Sequence, residues 1–200
     1  MQALVGACGA SDYPAEIVLV LSNRADAAGL DFARDAGLPT AVVPHREFPD
    51  RASFDAAMDR EIRKTEAELI CLAGFMRLLD PAFVDAWRDR MLNIHPALLP
   101  SFKGLDTHRR ALEAGVKIAG CTVHFVRSEM DTGPIIAQAA VPVLPDDTEE
   151  ILAARVLEQE HVIYPMALRL VCEGRVTVAG SRTMIDTAAG AAVLRNPEAG

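Results

Sequence analysis

Asn93 and His95 stand two residues apart in Met91-Leu92-Asn93-Ile94-His95-Pro96, where an apolar run gives way to a proline-rich loop. Side chains two apart on an extended segment project to the same side, so an amide donor and a titratable imidazole enter one crevice together. Such a donor can stabilise a developing oxyanion, and the imidazole can carry its proton. Downstream, Asp131 precedes Thr132-Gly133-Pro134, whose Gly-Pro pair fixes the backbone tightly. A carboxylate held near an imidazole favours the charged ring and raises its pKa, which is the physical reason to group Asn93, His95 and Asp131. Taken singly, each is also an ordinary strand-end or turn residue.

The elements that must position these groups are legible as apolar runs and capping signals. Residues 17–21, 40–43 and 69–73 are continuous aliphatic stretches without polar alternation, the pattern of parallel strands covered on both faces. Between them, 26–36 and 53–66 read as helices, the second with Ser53 as its N-cap. The alternation predicts βαβαβ with right-handed crossovers. Farther along, Asp80-Pro81 opens a short helix to Trp87, and 90–94 is a strand. Residues 107–114 are helical with Gly115 as the stop, and 118–126 and 133–143 are two strands joined across a loop. Asp147 heads a D-x-x-E capping box that starts a long helix to Cys172, kinked at Pro165, and 175–179 is a final strand. Residues 1–180 therefore form one domain, and 181–200 a flexible Gly- and Ala-rich tail.

The composition narrows the class. Two hundred residues, 50% of them hydrophobic, suit a single α/β domain with a real core. A net charge of -8 argues against nucleic-acid binding, which depends on neutralising phosphates with Lys and Arg. Any anionic ligand therefore needs locally placed cations. The chain opens without a signal-peptide pattern and has no apolar run long enough to span a bilayer, so no membrane partner is expected. Cys8, Cys71, Cys121 and Cys172 show no C-x-x-C spacing and read as structural free thiols in a reducing cytoplasm. His45, His95, His108, His124 and His161 show no metal-binding spacing, so no metal is expected. Nothing in the sequence sets an oligomeric state.

In order along the chain, Leu72-Ala73-Gly74-Phe75-Met76-Arg77, Asn93-Ile94-His95-Pro96, Gly104-Leu105-Asp106-Thr107-His108-Arg109, Val123-His124-Phe125-Val126, Asp131-Thr132-Gly133-Pro134 and Gln159-Glu160-His161 resemble the phosphoribosylglycinamide formyltransferase family. The resemblance implies an α/β, Rossmann-like formyltransferase fold with a mostly parallel twisted sheet and helices on both faces. It also implies transfer of a formyl group from 10-formyltetrahydrofolate to the amine of glycinamide ribonucleotide, in IMP biosynthesis. Asn93 would donate to the tetrahedral oxyanion, protonated His95 would act as general acid, and Asp131 would support His95 and order a water. The family pattern assigns the folate cosubstrate to Arg51, to Met76, Arg77, Leu78 and Leu79, to Asn93, and to Arg127, Ser128, Glu129, Met130 and Asp131. Glu160 falls at a position that contacts the ribonucleotide.

At the amino end, residues 1–7 read as the middle of a helix with no N-cap before it. Family members place a strand and a Gly-rich phosphate turn ahead of that helix, so the first central strand is expected to be missing and the domain amino-terminally truncated. Asp106 stands where some relatives carry His. Three other readings are kept: formyltetrahydrofolate deformylase, which activates water with a similar trio; methionyl-tRNA formyltransferase, whose basic RNA domain suits this acidic composition poorly; and a non-catalytic folate-binding remnant.

Overall fold

In the computed structural model, residues 1–186 are described, and the rest of the expected tail, 187–200, lies outside the described residues. The chain runs α1 (Gln2–Cys8), β1 (Val20–Ser22), α2 (Ala28–Asp35), β2 (Thr40–Val42), α3 (Arg51–Ile62), β3 (Ile70–Leu72), α4 (Pro81–Ala86) and β4 (Met91–His95). It continues with α5 (Thr107–Glu113), β5 (Ile118–Phe125), β6 (Ile135–Pro142), α6 (Glu149–Cys172), β7 (Val176–Ala179) and β8 (Arg182–Ile185).

The pairing changes sense along the chain. β1 with β2 and β3 with β4 are parallel, each pair joined through a helix, whereas β4–β5 and β5–β6 are antiparallel. The sheet is thus mixed, with its parallel part confined to the first four strands. The order β3-β4-β5-β6 carries the main core: Leu92, Cys121 and Val123 pack under Leu152, Val156 and Ala167 of α6 and are almost wholly shielded.

β1 and β2 form a separate pair, and among the described residues no strand joins β1 to β3. Leu21 of β1 and Ile70 and Leu72 of β3 nevertheless pack on one cluster around Phe83, Trp87 and Met91. The interruption therefore falls within the doubly wound layout. The residues of β1, β2 and β3 are only half-buried, a departure from the cover on both faces that their apolar runs lead one to expect.

Several boundaries move by local hydrogen bonding. The cap of α3 is Asp50, whose carboxylate accepts the Ser53 N–H at 2.8 Å, so Ser53 lies inside the first turn. Thr148 caps α6 by accepting the Ile151 N–H. Asp147 is occupied elsewhere, gripping Arg155 through both oxygens at 2.7 and 2.8 Å. At the other end, Arg182–Ile185 pairs with Val176–Ala179 as a hairpin, which corrects the expected tail from 181 onward. The Thr183 hydroxyl donates to the Ile135 carbonyl, fastening that hairpin to β6.

Tyr164 of α6 is buried, and its hydroxyl donates to the Leu72 carbonyl at 2.8 Å with the Leu92 carbonyl at 3.2 Å. It ties α6 to the ends of both β3 and β4, just before Asn93. Tyr164→Phe leaves buried carbonyl oxygens without this donor and should cost about 1–3 kcal/mol of stability. The measurement is the urea midpoint of purified variant against parent, and an unchanged midpoint would remove the hydroxyl from the fold's support.

Candidate active site

The antiparallel register of β4 and β5 places Asn93 opposite His124 and His95 opposite Thr122. Two polar pairs thus face one side of an otherwise apolar sheet. The β5–β6 register shifts between Val123 and His124, an irregularity of the kind that re-aims a side chain.

His124 is 2% exposed, with its Nδ1 2.9 Å from the Phe125 carbonyl and its Nε2 3.3 Å from the Asn93 amide nitrogen. A carbonyl only accepts, so Nδ1 carries the hydrogen and Nε2 accepts from the Asn93 amide. Burial also pushes the His124 imidazole below its ordinary pKa, favouring this neutral form. The consequence is directional. One Asn93 N–H is held by His124, which fixes the amide plane, and the second has no partner among the described residues.

His95 is also buried, and both ring nitrogens face oxygen: Nε2 lies 3.0 Å from the Phe102 carbonyl and Nδ1 3.5 Å from Asp131 Oδ2. Asp131 is itself fastened, because the Gly104 N–H donates to Oδ2 at 2.8 Å while Oδ1 lies 3.8 Å from His124 Nε2. Its backbone is left-handed at φ 53°, a conformation that a short polar residue tolerates. Two residues on, an added Cβ at Gly133 would sit 1.6 Å from the Phe125 carbonyl oxygen, so only glycine lets this loop close on β5.

Thr122 holds the segment that follows His95. Its hydroxyl donates to the Ala97 carbonyl at 2.7 Å and accepts from the Leu99 N–H at 3.1 Å, while Gln138 donates to both Thr122 and the Leu99 carbonyl. His124, Thr122 and Gln138 were not among the expected site residues. A signal was available: Thr122 and His124 alternate with period two inside an apolar strand, in phase with Asn93 and His95.

The residues expected to hold the cosubstrate fall into two groups. Met76, Arg77, Leu78 and Leu79 lie in the loop after β3, with Met76 77% and Leu78 57% exposed, whereas Leu79 packs inward against two core clusters. Arg77 lies over the Phe54 ring at 5.4 Å, and Arg51 opens α3 on the surface. Both arginines act on the buried Asp55, whose carboxyl is pushed above the usual range by burial and accepts the Asp80 N–H. In the second group, the Arg127 guanidinium is taken up by Asp89 and by the Val126 carbonyl, so it braces the loop. Ser128 and Glu129 are exposed, and Met130 covers Gly104. Glu160 of α6 makes no hydrogen bond or ion pair with the trio, and burial raises its carboxyl.

Among the described residues, no group of three or more His, Cys, Asp or Glu side chains is arranged to hold a metal ion, and no helix is long and apolar enough to cross a membrane. What the site offers is one free amide N–H on a locked plane beside an imidazole–carboxylate pair. That combination can stabilise an oxyanion and move a proton.

The comparisons agree with this chemistry. A family model described as formyl transferase matches residues 1–168. The chain is 52% identical over 178 residues to the trifunctional purine biosynthetic protein adenosine-3 of Gallus gallus, covering 89% of this chain and 18% of that protein. It thus spans under a fifth of that relative's length. It is 43% identical over 186 residues to the phosphoribosylglycinamide formyltransferase of Escherichia coli strain K12, covering 93% of this chain and 88% of that one. The crystal structure of glycinamide ribonucleotide transformylase 1 from Symbiobacterium toebii superimposes with a TM-score of 0.90 at 49% identity, over 92% of this chain and 87% of the other. With its alternating architecture, its polar cluster at the end of β4 and a match across most of its length, the chain belongs to the formyl transferase family.

Proposed function

We propose that the chain transfers the formyl group of 10-formyltetrahydrofolate to the amine of glycinamide ribonucleotide, a step of purine biosynthesis carried out in the cytoplasm. One observation carries this reading: the Asn93 amide is oriented by His124 so that its second N–H is free, beside His95 and Asp131. The names of the E. coli and S. toebii relatives give the acceptor and the formyl group their identity.

The steps follow from the geometry. As the amine attacks the formyl carbon, the carbonyl oxygen gains negative charge, and the free Asn93 N–H donates to it. Because His124 already holds the other N–H, no reorganisation of the amide is needed when charge develops. His95 in its protonated form adds positive charge to the same place. Asp131 balances that charge from Nδ1 and, directly or through a water, takes the proton that the amine sheds. The tetrahedral intermediate then collapses with cleavage of the bond between the formyl carbon and N10 of the cosubstrate, and that proton passes to N10 as tetrahydrofolate leaves. The exposed apolar Met76 and Leu78, with the backbone of residues 127–131, suit a flat pterin with a donor–acceptor edge. Arg51 and Arg77 supply cations for the cosubstrate's carboxylates on an otherwise acidic surface, and Glu160 can accept ribose hydroxyls.

The test is an assay of the purified chain with both substrates, following folate product and formylated ribonucleotide together. Formylated ribonucleotide in step with folate product supports the proposal. Formate released without ribonucleotide would instead mark a deformylase, and folate binding without turnover a non-catalytic module.

Asn93→Ala should lower kcat by about 10²–10³-fold, the loss typical of one oxyanion donor, with little change in KM. Equal loss in KM and none in kcat would make Asn93 a ground-state contact only.

His124 makes a separate prediction. Nitrogen-15 spectra at pH 6.5, near the ordinary imidazole pKa of about 6.5, should show it neutral and protonated on Nδ1. Its folded pKa lies below the unfolded value, so its contribution to stability is complete above the unfolded pKa and is lost as the pH falls through the folded one. His124→Phe removes the acceptor for the amide and should lower kcat by about tenfold, the worth of roughly 1.4 kcal/mol. A doubly protonated ring at that pH, or unaltered turnover in the variant, would break the link between His124 and the amide.

A further inference from the structure

A second cleft, of about 460 Å³, opens on the Asp131–Gly133 segment between the loop after β4 and the β7–β8 hairpin. It shares only Asp131 with the residues assigned to the folate, and none with those assigned to the ribonucleotide. Its apolar wall comes from Leu99, Pro100 and Ile135. Lys103 and Arg182 bring cations to it from two different elements, and Ser181 also lines it.

Those two cations lack a carboxylate partner, as do Arg46, Arg51, Arg60, Arg77, Arg90 and Arg110 among the described residues, but of these only Lys103 and Arg182 line this cleft. The protein carries a net charge of -8, and Arg24, Arg34, Arg63, Arg109, Arg127, Arg155, Arg169 and Arg175 all have carboxylate partners within 4 Å. Among the described residues, neither the Lys103 ammonium nor the Arg182 guanidinium has one, although acidic side chains are plentiful. The one carboxylate in the cleft wall, Asp131, is already occupied by the Gly104 N–H and the His95 imidazole. The cleft therefore presents uncompensated positive charge over an apolar floor. Hydroxyl and guanidinium donors suit an oxyanion, and the floor suits the body that carries it.

We propose that this cleft binds a small organic oxyanion, a phosphate monoester or carboxylate with an apolar body, held by Lys103 and Arg182. Such a ligand bridges the β7–β8 hairpin to the loop whose Gly104 N–H holds the catalytic carboxylate, so its place is beside the reaction centre and outside the substrate contacts. The proposal stands independently of which acceptor is formylated.

The test is amide chemical-shift mapping of the full chain at fixed ionic strength with phenyl phosphate, with phenylacetate, and with neutral phenylacetamide. Shifts clustered at Lys103, Thr132 and Ser181 to Thr183 with either anion, and weaker ones with the amide, support the site; the relative response to the two anions shows which oxyanion it prefers. Arg182→Gln and Lys103→Gln should each weaken that binding by about tenfold while leaving formyl transfer unchanged and the spectrum otherwise folded. Three results would overturn it: no shifts at those residues while other positions respond, an equal response to phenylacetamide, or binding undiminished in both variants.

Discussion

A line of polar side chains crosses the buried interface of β4 and β5, and the site depends on its two histidines and its threonine being satisfied. His124, Thr122 and His95 are each no more than 5% exposed, and an unpaired polar group at such a place costs several kcal/mol. Here the carbonyls of Phe125, Ala97 and Phe102 take the donors, and Asn93 gives its hydrogen to the only acceptor left on His124. A fully satisfied buried network has few alternative arrangements, which gives the free Asn93 N–H a fixed direction. The antiparallel register is what permits it. A slip of either strand by one residue would send its two members to the opposite face from the other two.

The loop that delivers Asp131 is constrained from two sides. Gly133 has no room for a Cβ against Phe125, and Arg127 is anchored by Asp89 at the other end of the loop's reach. Between these points Asp131 takes a left-handed conformation and receives the Gly104 N–H. The carboxylate is therefore placed by backbone geometry, and its ion-pair distance to His95 follows from that placement. The segment after His95 is held with equal firmness by Thr122 and Gln138. Both partners of the imidazole thus sit on supported backbone.

Much of this was legible in the residue order. Unbroken aliphatic runs marked β1, β2 and β3, the Asp80-Pro81 pair marked the start of α4, and the Asn93–His95 spacing marked the chemistry. The misses share a cause: they depend on partners distant in sequence or on competition between neighbours. Asp147 looks like a cap until Arg155 claims it, and Ser53 until Asp50 is seen to reach it. Nor does the residue order show that Asp89, 38 residues from Arg127, takes its guanidinium. Full burial of the early strands was expected from their composition, yet they are only half covered. His124 stands in one of the family-like motifs but not among the expected site residues, and only the cross-strand register shows it as the partner of Asn93.

The distribution of rigidity across the site suits the two jobs that the proposed function would give it. Groups that meet developing charge must not reorganise as it forms, and Asn93, His95 and His124 stand on central strands under α6. Groups that admit and release a large flat cosubstrate must be accessible, and Met76, Arg77 and Leu78 stand on an exposed loop at the interrupted edge of the sheet. The two regions meet through β3 and β4, whose parallel register sets Leu72 beside Asn93. Tyr164 binds the Leu72 and Leu92 carbonyls at this junction. A disturbance of the exposed loop therefore reaches the oxyanion donor only through a joint that α6 already clamps, which lets the binding surface adjust while the direction of the Asn93 N–H is preserved.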